Sequence, residues 1–297
     1  MLSNIKKTLR TNSYEKYKYS IIIPTWNNID YLKFCLRSLK ENSSFKHQII
    51  ILVNEGNDGT IEWLENQKEI DFIKSKSNIG ICFGLNISRT IVKTNYIVYA
   101  NDDMYFLPKW DFYIDKEIEL IGHKDFMLSA TMIEPNETKN PSVIVKDYGD
   151  SLSNFKEQNL LKDFDFLLKK DWYGSTWPPN IMHIDTWDLV GGMSIEFSPG
   201  MYSDPDLAMK LWKADVRYFK GIGKSRVYHF GSKSTKRIKH NKGKDMFLLK
   251  WGMTARYFVD NYLKRGQLFN GLLPDYFPSP IDSLLNRLKK AIKSIIS

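Results

Sequence analysis

Two cysteines are present in 297 residues, and Cys35 and Cys82 lie far apart with no C-x-x-C pair. Neither a disulfide framework nor a cysteine-based zinc site is indicated, and a reducing compartment fits. No apolar run approaches the ~20 residues that a membrane-spanning helix needs. Residues 1–19 are polar and basic and lack the apolar stretch of a secretory signal. No segment recurs at a fixed period, which excludes repeat architectures. What remains is a soluble or peripheral globular chain.

Hydrophobic residues make up 42% of the chain and aromatic residues 14%, and the formal charge is +9. The length allows one large domain or two. The charge favours an anionic partner: a nucleotide, a membrane surface or a nucleic acid.

Apolar runs at 19–23, 48–53 and 96–100 predict buried strands, with a shorter one at 71–74. Between them, Leu32, Cys35, Leu36 and Leu39 have helical spacing within 30–40, and 61–67 and 80–90 also read as helices. Alternation of this kind predicts an α/β fold, a mostly parallel sheet with helices on both faces. The loops PTWNN (24–28), NEGNDGT (54–60) and NDD (101–103) then fall at the carboxyl ends of strands, where such sheets bind ligands. Further on, helices are expected at 108–120, 154–170, 185–190 and 203–215, and strands at 126–132, 181–184, 216–219 and 226–230. A single long helix is expected over 244–264. In the helix at 203–215, Asp204 reads as the N-cap, Pro205 as the first helical residue and Asp206 as part of the first turn.

The stretch YIVYANDDMYFLP (96–108) organises the rest. Adjacent carboxylates at Asp102 and Asp103, ending a buried strand, repel each other. A hard divalent cation on oxygen ligands would compensate, and a cation with open positions also holds phosphates. The plainer alternative is a solvated turn that blunts the strand.

Several loops, in order, resemble the family-two glycosyltransferases of the GT-A fold: IIIPTWNN, VNEGNDGT, NIGICFGLN, YANDDM, WDLVGGM, SDPDLAMKLWKA and HFGS, between about residues 19 and 234. The resemblance implies inverting sugar transfer from a nucleotide donor, with UDP the expected nucleotide, to a glycan or lipid-linked acceptor. It implies nucleotide contacts at Pro24, Thr25, Trp26, Glu55, Asn78, Gly80 and Asp102, with Gly84 and Asn86 in the same segment. It also implies Mn²⁺ or Mg²⁺ at Asp103 and His229, and Asp204 as general base. The family usually has Tyr where Trp26 stands, Asp at Asn54, Asp or Asn at Glu55, and Glu at Ser203. An ionised carboxylate at Glu55 only accepts hydrogen bonds, which suits a base with a ring N–H such as uracil. The helix N-terminus should lower the pKa of Asp204. On the acceptor side, Asp206 is a cap or supporting residue beside Asp204, and Trp172, Tyr173 and Trp177 form a candidate stacking platform, with packing beneath a lid the alternative.

This reading divides the chain into a loose basic arm (1–18), a GT-A domain (19–240) and a C-terminal helical extension (241–297). Within the domain, 19–107 is the nucleotide half and 108–240 the acceptor half. At the end, Leu284, Leu285, Leu288, Ile292, Ile295 and Ile296 share one helical face, flanked by Arg287, Lys289, Lys290 and Lys293. Such a helix suits an anionic membrane surface, or packing against its own domain or a partner. The expected setting is cytoplasmic, including the inner face of the cytoplasmic membrane, in assembly of a surface polysaccharide. Two rivals stand beside it: a degenerate module that holds a nucleotide sugar without catalysis, and a nucleic-acid binder using Lys233, Lys236, Arg237, Lys239 and Lys242. No recognised RNA-binding module accompanies those five, so nucleic acid is not the expected partner.

Overall fold

The computed structural model describes residues 4–12, 15–231 and 242–296. The first half comprises strand β1 (Ile5–Thr8), β2 (Ser20–Trp26), helix α1 (Ile29–Asn42), β3 (Gln48–Asn54), α2 (Thr60–Glu65), β4 (Ile70–Ser75), α3 (Gly80–Arg89) and β5 (Tyr96–Tyr99). There follow β6 (Met104–Phe106), α4 (Trp110–Ile121), β7 (Phe126–Glu134), β8 (Ile144–Val145), α5 (Glu157–Asp163), β9 (Trp172–Tyr173), β10 (Asn180–His183) and α6 (Ile184–Leu189). The chain closes with α7 (Ser203–Lys213), β11 (Tyr218–His229), α8 (Gly243–Trp251), α9 (Ala255–Tyr257), a π-helical turn (Phe258–Tyr262) and α10 (Pro280–Ile296).

One sheet takes the order β1-β4-β3-β2-β5-β10-β7-β11-β6, with β8 beside β7 and β9 beside β11. β2 pairs parallel with both β3 and β5, and β3 with β4. β10 is antiparallel to β5 and to β7, so β7 runs the same way as β5, and β8 and β11 run parallel to β7. The sheet is therefore mostly parallel, as the alternation of elements predicts. The carboxyl ends of β2, β3, β5, β7 and β11 all meet along one edge.

Both faces are covered. Along β2, Ile21 and Ile23 pack with Leu32 and Cys35 of α1, while Ile22 packs with Leu85 of α3. Each of these isoleucines is fully buried, a contribution of roughly 1.5–3 kcal/mol apiece. Gly84 lets α3 lie directly on the sheet, since a Cβ there would stand 1.8 Å from Leu52 Cδ2.

Several expectations are corrected. Residues 5–8 of the expected loose arm form β1, which covers the β4 edge; beyond it the Arg10 and Thr11 amides donate to Asp71 Oδ1 at 2.6 and 2.8 Å. The expected strands at 216–219 and 226–230 are one strand, β11, whose register to β7 slips between Ile222 and Arg226. The long helix over 244–264 is broken. Gly252 (φ 72°) ends α8, and the Thr254 side chain accepts from the Tyr257 amide to start the next turn. Among the described residues no helix is long and apolar enough to cross a membrane.

Candidate active site

A cleft of about 790 Å³ opens along the edge where the parallel strands end. Its floor is Pro24, Thr25 and Trp26 from β2, Asn54 from β3, and Asn101, Asp102 and Asp103 after β5. Asp102 and Asp103 are both buried. Thr25 Oγ1 donates to Asp102 Oδ2 at 2.7 Å, which fixes the first carboxylate against β2.

Register brings His229 to this edge. Its antiparallel partner across β6 is Met104, one residue after Asp103. Its parallel neighbour strand, β7, ends at Glu134, one residue beyond the Tyr228–Ile133 pair. His229 Nδ1 accordingly stands 2.8 Å from Glu134 Oε1, and Nε2 3.3 Å from Asp103 Oδ1. Burial opposes a charged ring, but the Asp103 and Glu134 carboxylates outweigh it and push the His229 pKa up to about 10.

These residues fit a divalent cation. His229 Nε2 is buried and faces Asp103 Oδ1, where a cation would have to displace its proton, and the opposite ring nitrogen is fixed by a carboxylate. A metal-binding histidine is normally held in this way. Among the described residues no three His, Cys, Asp or Glu side chains converge as a complete cage. A cation on Asp103 and His229 would take its remaining ligands from phosphate and water, as Mg²⁺ and Mn²⁺ do at diphosphate sites.

Asn78 and Gly80 line the cleft beside Asn54. The Asn78 side chain accepts from the Gly80 amide at 2.9 Å, and Asn54 Oδ1 accepts from the Ile79 amide at 3.0 Å. Gly80 has φ +75°, and a Cβ there would lie 2.7 Å from Pro199 Cα, so only glycine fits. Asn86 turns away from the cleft; its amide clamps the backbone of Met193 through two 2.8 Å bonds. Glu55 is not part of the lining. Its Oε2 accepts from Trp26 Nε1 at 2.9 Å and from Asn27 Nδ2 at 3.2 Å. It sits in left-handed backbone at φ 64°, a conformation that functional edges tolerate more than cores do.

Asp204 faces the same cleft from α7. The residue capping that helix is Tyr202, at φ 70°, so Asp204 is the second helical residue and not the cap. Its side chain is half-buried, and Oδ1 is buried without a hydrogen-bond partner. Loss of solvent therefore pushes its pKa up to about 7, against the lowering expected from the helix terminus.

The aromatic platform is mostly core. Trp172 is buried and donates from Nε1 to Thr131 Oγ1 at 2.8 Å. Tyr173 is buried against Phe269, with its hydroxyl on Asn270. Only Trp177 of the three reaches the cleft. Asp206 is fully buried behind it and holds Trp251 Nε1 at 2.7 Å and Lys250 Nζ at 2.9 Å, which ties α7 to α8. Lys233, Lys236, Arg237, Lys239 and the Ser232 of HFGS lie outside the described residues.

Sequence reasoning missed one wall. Ala255, Arg256, Val259 and Arg265 of the expected C-terminal extension line the cleft, as do Lys139 and Tyr202. The extension thus completes the site instead of forming a separate unit. No local pattern marks these residues; those after 254 arrive through the packing of the π-helical turn beside α7.

The profile of Glycosyl transferase family 2 matches residues 20–167. A protein of Mycoplasma genitalium described as an uncharacterized glycosyltransferase is 31% identical over 160 residues, 50% of this chain. That stretch is also 50% of the relative, so the chain spans about half the length of the curated relative it matches. Residues 1–349 of S. aureus TarS, solved with UDP-GlcNAc, superpose with a TM-score of 0.54 at 13% identity, over 77% of this chain and 63% of that one. GalNAc-T7, solved with UDP, GalNAc and Mn²⁺, superposes with a TM-score of 0.56 at 11% identity, over 94% of this chain and 54% of that one. At these identities the likeness is one of fold, the GT-A arrangement of a mostly parallel sheet with its cleft at the strand ends. Through residues 20–167 the chain belongs to glycosyltransferase family 2.

Proposed function

We propose that the chain moves a sugar, with inversion, from a UDP-sugar to a hydroxyl of a glycan or lipid-linked acceptor. The observation that carries the reading is Asp204: a half-buried carboxylate with a pKa near 7, facing the cleft that holds Asp102 and Asp103. The donor assignment is supported by the UDP and UDP-GlcNAc bound in TarS and GalNAc-T7.

The steps follow from the residues. Pro24, Thr25, Trp26, Asn78, Gly80 and Asp102 hold the nucleoside, and Glu55 orients the Trp26 indole from behind. Asp103 and His229 would hold a divalent cation, Mn²⁺ or Mg²⁺, which when bound would supply neutralisation of the charge that develops on the leaving diphosphate. The acceptor oxygen attacks the anomeric carbon, the bond from that carbon to the phosphate oxygen breaks, and the acceptor proton passes to Asp204. A pKa close to ambient pH suits a base that must be ionised before the reaction yet hold a proton after it. Trp177 offers an aromatic surface beside the acceptor.

The same proposal extends to a membrane surface. α10 docks by its polar side, with Asn286 buried and Lys293 on Asp245 at 2.7 Å, and turns its apolar stripe outward. Leu284, Leu285, Leu288 and Ile292 are 58%, 47%, 50% and 58% exposed, beside exposed Arg287 and Lys289. An apolar stripe bordered by cations suits peripheral attachment to anionic lipid, in work on surface polysaccharide at the cytoplasmic membrane face. Incubating the full chain with a panel of UDP-sugars and Mn²⁺, and measuring released UDP, tests the donor reading. Metal-dependent release from at least one is expected; release from none would overturn it.

A further inference from the structure

The cleft is electrically divided. Its acids, Asp102, Asp103, Glu134 and Asp204, gather at the strand ends and at the start of α7, and the cations Lys139, Arg256 and Arg265 line it from the 138–140 loop and the C-terminal segment. None of these three cations is among the residues assigned to the donor, and Arg256 and Arg265 share the single carboxylate of Asp260.

Arg265 is the most constrained of them. Its side chain is 16% exposed, and one guanidinium nitrogen, Nη2, donates to Asp260 Oδ1 at 2.6 Å. Nε is buried and has no hydrogen-bond partner. The guanidinium lies 5.6 Å from the centre of the Trp177 ring, and a cation held on an aromatic face keeps its in-plane donors available. Gly174 admits the Arg265 backbone, since a Cβ there would stand 2.7 Å from Arg265 Cα. Arg256 shares the same carboxylate, with Nε 3.4 Å from Asp260 Oδ2, and its side chain is 85% exposed. One acid thus serves two arginines, and Lys139 adds a third positive charge.

We propose that the acceptor carries a phosphate ester, bound by Arg265 with support from Arg256 and Lys139, with its nucleophilic hydroxyl beside Asp204. This rests on the transferase reading above and adds the chemical class of the acceptor. A planar guanidinium matches phosphate oxygens, and such charge-assisted bonds are the strong ones. The phosphate belongs either to a phosphorylated sugar or polyol, as a monoester, or to a lipid headgroup or polyol-phosphate chain, as a diester.

The test is calorimetric titration of the full chain, with and without saturating UDP and Mn²⁺. The probes are glycerol 3-phosphate, the monoester, and glycerophosphoglycerol, the diester; glycerol is the uncharged control. At least one ester should bind the UDP-loaded protein while glycerol does not, and the ester that binds more tightly identifies the source. Arg265→Gln should weaken that binding about tenfold, Arg265→Lys should restore part of it, and UDP affinity should stay within about twofold. Should Arg265→Gln fail to fold, the double variant Arg256→Gln/Lys139→Gln, on exposed side chains, should weaken the ester several-fold. Absence of ester binding to the UDP-loaded parent would overturn the inference. So would an equal loss of UDP affinity in Arg265→Gln, which would assign the arginine to the donor diphosphate. If UDP does not bind at all, the donor reading falls, and the titration without UDP still decides the phosphate site.

Discussion

Asp204 and Asp103 are neighbours in one cleft with opposite electrostatic surroundings. Asp103 has a histidine beside it, while Asp204 has only lost solvent. A carboxyl whose folded pKa lies near 7 and whose unfolded value is 3.8 binds more protons folded than unfolded between those two limits. Its ionisation therefore costs stability as pH rises through that window, and the cost is complete above it. Asp204→Asn should consequently raise Tm at pH 8, by about 2 kcal/mol in stability once solvent on the open side of the carboxylate is allowed for, and have little effect at pH 4. Thermal melts of both proteins across that range check it; a loss of stability at pH 8 would mean that a hydrogen bond at Asp204 outweighs desolvation. For Asp103→Asn, a weaker hold on UDP with Mn²⁺ is expected, by at least tenfold in calorimetry, with UDP alone little affected. Asp102, Asp103 and Asp204 were legible in the sequence because each sits in a short motif at an element boundary. Glu134 and Arg265 were not, since one reaches the site through β-register and the other through docking of distant chain.

At the scale of elements, amphipathic spacing predicted the burial of Leu32, Cys35 and Leu39 in α1, though Leu36 is only partly buried and Ser38 is buried as well, and it could not say which side of α10 meets the protein. The helix reverses the usual arrangement, with its polar face inward and its leucines in solvent. Leu284→Glu with Leu288→Glu should abolish cosedimentation with phosphatidylglycerol vesicles while changing Tm little, because both side chains are at least half exposed. A drop in Tm with vesicle binding retained would assign the stripe to folding. The NDD turn marks the end of β5 as expected, but Pro24 does not end β2, which stays paired with β3 through Thr25 and Trp26. β6 was missed because three residues, MYF, carry no periodicity of their own. The extra residues at the β11 slip are likewise invisible locally: Gly223 donates to Asp171 Oδ1 at 2.8 Å, and the Arg226 guanidinium binds the Phe164 carbonyl. Both contacts depend on segments far away in sequence.

The molecule as a whole follows one rule of parallel sheets. Strands that run together end together, so five loops converge on a single edge. Three of them, after β2, β3 and β5, were readable from the alternation of elements; those after β7 and β11 were not. The opposite wall was not, because it is built from the segment after residue 241, which looks in sequence like an appendage. The central claim is that Asp204 takes the acceptor proton. The most direct measurement is the transfer rate of Asp204→Asn against the parent, at pH 8 with saturating donor and Mn²⁺, with UDP affinity measured in parallel. The account predicts a loss of about 10²–10⁴-fold in rate, with UDP affinity within about twofold and with parental activity rising with pH through about 7. Transfer by the variant within a few-fold of the parent would contradict it.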